Sequence, residues 1–272
     1  MASRAMPSTA AEGRVSWKAV ALPVEHGGWG LLGEPILIGL CLAPSAAGFG
    51  VALAALAAFL ARQPLKIVLA DRRRGARHPR TAVGESFVLG YGLVALLGLL
   101  AAAGAPPLAW VTLALGVPLG LAQLVYDVKL QGRALAPELL GALALGSVAA
   151  AILVAGGWSA GVAFSVWSLL ALKAASSILY IRARLRLDRG LSPDLAPPLA
   201  AHGVAVLVAG VLSVAGRAPW LSVCAFVLLS ARAAFGLSRR RRIARPRVVG
   251  LQELGFGLAF TASLILGYAL GW

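Results

Sequence analysis

Residues 160–195 read AGVAFSVWSLLALKAASSILYI followed by RARLRLDRGLSPDL. The first part, 160–181, holds a single charged side chain, Lys173, and is long enough to cross a hydrocarbon layer of about 30 Å at about 1.5 Å per residue. The second part gathers Arg182, Arg184, Arg186 and Arg189. An apolar stretch of membrane length that ends in an arginine-rich loop is the repeating unit of a polytopic membrane protein. Within this unit Lys173, Ser177, Tyr180 and Arg184 fall at i, i+4, i+7 and i+11, which places them on one face of a helix.

The same unit recurs on either side. Apolar stretches lie near 28–45, 47–70, 83–103, 107–126, 135–156, 160–181, 196–215, 219–237 and 250–271, nine in all. The connections 71–82, 127–134, 182–195 and 238–249 are basic, whereas those near 46, 104–106, 157–159 and 216–218 are short and carry only Arg217. This alternation places the N-terminus in the cytoplasm and, with an odd number of spans, the C-terminus outside. Residues 1–16 have no apolar core of the kind a cleavable signal needs and read as a disordered cytoplasmic tail. Residues 17–272 read as a single nine-helix transmembrane domain, the spans pairing into hairpins through the tight outer turns.

Composition agrees. Of 272 residues, 60% are hydrophobic and 13% charged, too little polar surface to cover a globule in water. The net charge of +15 is largely arginine, with Lys18, Lys66, Lys129 and Lys173 the only lysines, and no soluble aromatic-bearing module exists to make a nucleic-acid partner of it. Membrane lipids are the partners implied. Cys41 and Cys224 sit in apolar runs, which excludes a disulfide framework or a cysteine metal site.

An ionisable side chain at the centre of a span costs about 2.5–3.5 kcal/mol, so each one calls for a partner or a function. Around the first span, Glu25, His26 and Glu34 stand beside three glycines and Pro35, which predicts a bent helix start at the cytoplasmic rim. On the second, Arg62, Lys66 and Arg73 share a face, with Pro64 kinking the helix and Asp71 at its end. This basic face and the Lys173 stripe open to the same side and suggest an anion pocket between them. The alternative is that Glu34, Glu85 or Glu138 neutralises these cations as buried pairs. Asp127 and Glu138 are expected to pair with Lys129 and Arg133, and Glu253 with Arg245 or Arg247. His202 reads as a satisfied interior histidine. The run Arg239 to Arg242 reads as headgroup contact.

The motifs Pro23-x-Glu-His-Gly-x-Trp29 with Pro35 following, Arg62-x-Pro-Leu65, Tyr126-x-x-Lys129 and Pro246-x-x-x-Gly-x-x-Glu253 resemble the YwiC-like family of bacterial membrane proteins. More distantly, nine spans with polar features after the second and sixth resemble the UbiA superfamily of intramembrane prenyltransferases. That likeness implies a ring of nine helices around a cavity open to the cytoplasm, in the bacterial inner membrane, with two aspartate-rich motifs holding magnesium against a prenyl diphosphate. Here those places carry Asp71 followed by three arginines, and Arg182, Arg184 and Arg186 before Asp188. Magnesium is therefore not supported by the motifs, since it calls for clustered oxygen ligands. The reading that results is a UbiA-like pocket for an amphipathic, lipid-like ligand whose anionic head meets Glu34, Arg62, Lys66, Arg73, Lys173, Ser177, Tyr180 and Arg184. If the protein is an enzyme, it is an atypical, metal-poor transferase with Glu25, His26 or Asp71 as general base. A small-anion carrier and a structural partner of a membrane complex are the alternatives. Oligomeric state is not legible.

Overall fold

The computed structural model describes residues 16–23, 26–129 and 134–271. Ten helices form among the described residues: α1 (Trp17–Ala21), α2 (His26–Leu42), α3 (Ala46–Arg73), α4 (Pro79–Ala101), α5 (Pro107–Val128), α6 (Leu135–Ala155), α7 (Ala160–Asp188), α8 (Ala196–Val214), α9 (Trp220–Leu237) and α10 (Pro246–Leu270). Their limits have local causes. Ser45 caps α3 by accepting a hydrogen bond from the Gly48 amide at 3.0 Å, and Ser159 caps α7 through the Val162 amide. Proline opens α4, α5, α8 and α10, where a missing amide proton costs nothing. Gly157 and Gly216, at φ +90° and +67°, turn the chain at two of the short connections in a conformation that other residues resist.

Eight of these helices are long and apolar enough to cross a membrane, and the apolar α2, with 17 residues, is a shorter ninth. The chain is a multi-pass membrane protein. Pro35 and Pro64 lie inside α2 and α3, each of which continues through its proline. The five residues of α1 belong to the folded part: Tyr91 of α4 donates to the Ala21 carbonyl at 3.2 Å. The tail expected over 1–16 falls, but for Ser16, outside the described residues.

Packing departs from the expected hairpins. Helices α3 and α4 form a close pair through the basic connection rather than through an outer turn, because Gly50 and Gly98 let the two backbones meet. Helices α5 and α6 likewise pair across a basic connection, whereas α6–α7 and α8–α9 pair across short connections. The buried face of α6 is a run of small and branched residues, including Ala149, Ala150, Ala151 and Ile152, and packs on α2, α3, α5 and α7.

Helices α2, α6, α7, α8, α9 and α10 close a ring in which each packs on the next and α10 returns to α2. This differs from nine helices around one open chamber, because α3, α4 and α5 lie outside that ring. Its interior is filled: α7 also touches α9 and α10, and Leu169, Phe226, Leu229, Phe260 and Leu264 are buried together. Phe226 and Phe260 meet edge to face at 5.1 Å. Both cysteines are exposed on the outer surface of the bundle.

Candidate functional site

Helix α7 runs 29 residues, about 44 Å, and so overshoots the hydrocarbon layer at its charged end. Lys173, Ser177, Tyr180 and Arg184 are all buried on it, as the stripe predicts, and the same face ends at Asp188. What the stripe meets is a second one on α10, where Glu253 and Gly257 are one turn apart.

At the deep end Lys173 donates to Glu34 of α2, with both side chains more than nine-tenths buried. Gly257 lies directly over this pair: a Cβ there would stand 2.3 Å from Glu34 Oε1 and 3.2 Å from Lys173 Nζ. Only glycine lets α10 approach so closely. One turn along, Glu253 accepts from Arg232 Nη1 of α9 at 2.5 Å and faces Lys173 and Ser177. Two cations and two carboxylates from four helices are thus interleaved in one dry cluster.

The Arg232 guanidinium stacks on the Tyr180 ring at 4.2 Å and near Phe256 at 5.2 Å. Tyr180 in turn stands edge-on to His202 of α8, whose Nδ1 is 2.7 Å from the Pro198 carbonyl oxygen. Four atoms of this cluster are buried without a hydrogen-bond partner: Ser177 Oγ, His202 Nε2, and Nε and Nη2 of Arg232. His202 is therefore half satisfied rather than satisfied.

Toward its end the stripe changes character. Arg184 donates to Asp188 at 2.8 Å, to the Gly236 carbonyl at 2.8 Å and to the Arg242 carbonyl, so all three of its nitrogens are engaged and two of them tie α7 to the end of α9 and to the α9–α10 connection. Asp188 also accepts from Arg241 at 3.2 Å and from the Ala244 amide at 3.4 Å. Arg241 is thus a structural tie rather than a headgroup contact. Asp188→Asn should loosen residues 238–245, and limited trypsin digestion of detergent-solubilised protein is expected to cut at Arg239 and Arg240 about tenfold faster than in the unaltered chain.

The other expected residues lie elsewhere. Helix α6 stands between α3 and α7, so the two basic stripes do not enclose a common pocket. Arg62 donates to Asp127 of α5 at 2.6 Å, and Asp127, completely buried, takes this distant partner instead of the adjacent Lys129. Lys66 is half-buried and Arg73 exposed. Asp71 has both oxygens engaged by Arg80, at 2.6 and 3.0 Å, and one also by the Thr81 hydroxyl at 2.9 Å. Glu138 accepts from Arg182 at 3.0 Å, and Arg133 lies outside the described residues. Glu25 lies outside them as well, and of His26 only the backbone, at the first position of α2, is described. A surface cleft of about 410 Å³ beside the α3–α4 turn is lined by Arg72, Arg77, Thr81 and Glu85, but Glu85 already pairs with both arginines.

Sequence reasoning missed Arg232. Its signal was a lone cation in an apolar span with no carboxylate within four residues on its own helix, which obliges another helix to supply the counter-charge.

Residues 22–153 match the family model described as YwiC-like protein, just under half of the chain. Over that segment the chain is similar to the YwiC-like family. Neither the comparison with curated proteins nor that with solved structures gives a match. The YwiC-like segment runs from α2 through most of α6 and contains Glu34, Arg62 and Asp127, while Lys173, Arg232 and Glu253 lie beyond it. The buried cluster therefore joins a YwiC-like carboxylate to cations of the second half.

Proposed function

We propose that this YwiC-like chain takes up an acidic amphiphile from the membrane, its acid group held in the cluster between α7, α8, α9 and α10 and its apolar tail lying among the helices. Arg232 carries the reading. Nη1 is committed to Glu253, while Nε and Nη2, the two nitrogens that form the side-on fork of a guanidinium, have no partner and the side chain is 6% exposed. Two unmatched donors in dry surroundings cost about 1–3 kcal/mol each, and the fork matches a carboxylate or phosphate oxygen pair. The ligand class is the one expected from the sequence, but the head group is assigned to Arg232 rather than to Arg62 and Arg184, which serve carboxylates and backbone.

The nine spans and lipid-like ligand follow the resemblance to the UbiA superfamily, with the charged connections on the cytoplasmic side. Magnesium does not fit. At the two places where that superfamily gathers metal ligands, Asp71 and Asp188 have their oxygens taken by arginines, a hydroxyl and an amide, and no oxygen pair is left to share with a diphosphate. The site therefore relies on guanidinium chemistry.

The test replaces Arg232 and Glu253 together, as Arg232→Met with Glu253→Gln, so that no carboxylate is left buried without its counter-charge. Mass spectrometry of lipid extracts from equal amounts of purified protein should show an acidic amphiphile reduced at least about tenfold in the double variant, a loss of about 1.4 kcal/mol of binding. Identical extracts from both proteins refute the proposal.

A further inference from the structure

We infer that an anion docking on the Arg232 fork brings one proton with it, and that Glu253 holds that proton. The inference rests on the binding reading above and concerns how the site stays neutral.

Among the buried groups the charges balance. Lys173 and Arg232 are cations, Glu34 and Glu253 are anions, and their side chains are at most 14% exposed. An anion added to this set leaves one negative charge uncompensated in a medium that screens poorly, which opposes binding strongly unless a proton arrives too. Glu253 is the acceptor that the geometry favours, because the incoming anion and Glu253 compete for one guanidinium. Glu34 is held by Lys173, and Lys173 has to remain charged to hold it.

Three helices pack on α10, and each contributes to the surroundings of Glu253. From α9 comes Arg232. From α7 come Lys173 and Ser177, with Tyr180 beneath the guanidinium. From α2 comes Glu34, reached through Lys173. The Ser177 hydroxyl faces Glu253 and serves either form of it, donating to the carboxylate or accepting from the protonated acid. His202, across Tyr180 on α8, is the other group able to take a proton, through Nε2. It receives no hydrogen bond from Arg232, whereas Glu253 does. No covalent bond changes: a proton from water joins a carboxylate oxygen of Glu253, and the carboxylate gives up its share of Arg232.

The experiment uses the full chain in zwitterionic phosphatidylcholine nanodiscs, with dodecanesulfonate below its micellar concentration as the probe. This strong acid stays ionised throughout, so any pH dependence belongs to the protein. Titration calorimetry between about pH 6 and about pH 8 should show the affinity falling about tenfold per pH unit above the pKa of the acceptor, with one proton taken up per probe. Glu253→Gln leaves the cluster one positive charge in excess, so it should bind without proton uptake, vary less than about twofold over the range, and bind more tightly than the unaltered chain at the alkaline end. His202→Gln should keep the pH dependence. If Glu253→Gln retains it, or His202→Gln loses it, the assignment to Glu253 is overturned. Binding by the unaltered chain with no proton uptake overturns the coupling and leaves the site standing. Absence of binding at every pH overturns the site and the coupling together.

Discussion

Lys173→Ala should lower the stability of the protein by about 3–5 kcal/mol, because it leaves Glu34 charged and without its partner in the middle of the bundle. Glu34 is buried between α2, α7 and α10, with Gly257 pressed over it, and water has little room to compensate: the crevice beside it, lined by Leu31, Pro35, Ala142 and Gly146, measures about 10 Å³. Replacing both partners, Glu34→Gln with Lys173→Met, removes both charges and should return most of the loss. By contrast, Arg72→Ala breaks a pair in which the arginine is 66% exposed and should cost less than about 1 kcal/mol. Thermal unfolding in detergent, followed by tryptophan fluorescence, checks all three; thiol-reactive dyes are unsuitable because Cys41 and Cys224 are already exposed. If the single and double variants melt together, the pair is not what stabilises this junction.

The second large effect lies in the other half of the molecule. A Cβ on Gly98 would stand 2.7 Å from the Ala54 amide nitrogen and 2.7 Å from the Gly50 carbonyl oxygen. These are backbone atoms, which cannot rotate aside as a side chain would, so Gly98→Leu has to push α3 and α4 apart. The expected cost is about 3 kcal/mol or more, at the upper end for overpacking. Among the described residues, apart from α3, the helix has only the five-residue α1 as a substantial neighbour, and it presents Leu89, Leu93, Leu96, Leu97 and Leu100 outward. Gly92→Leu on the same helix is the control: nothing lies within 4 Å of its Cβ, and it should melt like the unaltered chain. Equal melting of the Gly98 and Gly92 variants would refute the close crossing.

The helices were legible for a simple reason. An apolar run of membrane length has no other stable conformation in lipid, and the alternation of basic and short connections orders the runs. The α7 stripe was legible too, because helical periodicity alone puts Lys173, Ser177, Tyr180 and Arg184 on one face. Their partners were not. Asp127 was expected to take Lys129, two residues away, and takes Arg62; Glu253 was expected to take Arg245 or Arg247 and takes Arg232. In each case the nearby cations, Lys129, Arg245 and Arg247, are exposed at a helix end, and the carboxylate is met by a cation of another helix.

The sequence by itself determined that this is an all-helical multi-pass protein and which helix faces carry charge, because length, apolarity and a period of 3.6 residues are local properties. Only the tertiary structure decided that Glu34 belongs to Lys173, 139 residues away, that Arg184 and Asp188 tie down a connection, and that Arg232 keeps two donors unmatched. Those outcomes depend on which helices lie side by side, and glycines at positions 50, 98 and 257 are among those that let the helices approach closely.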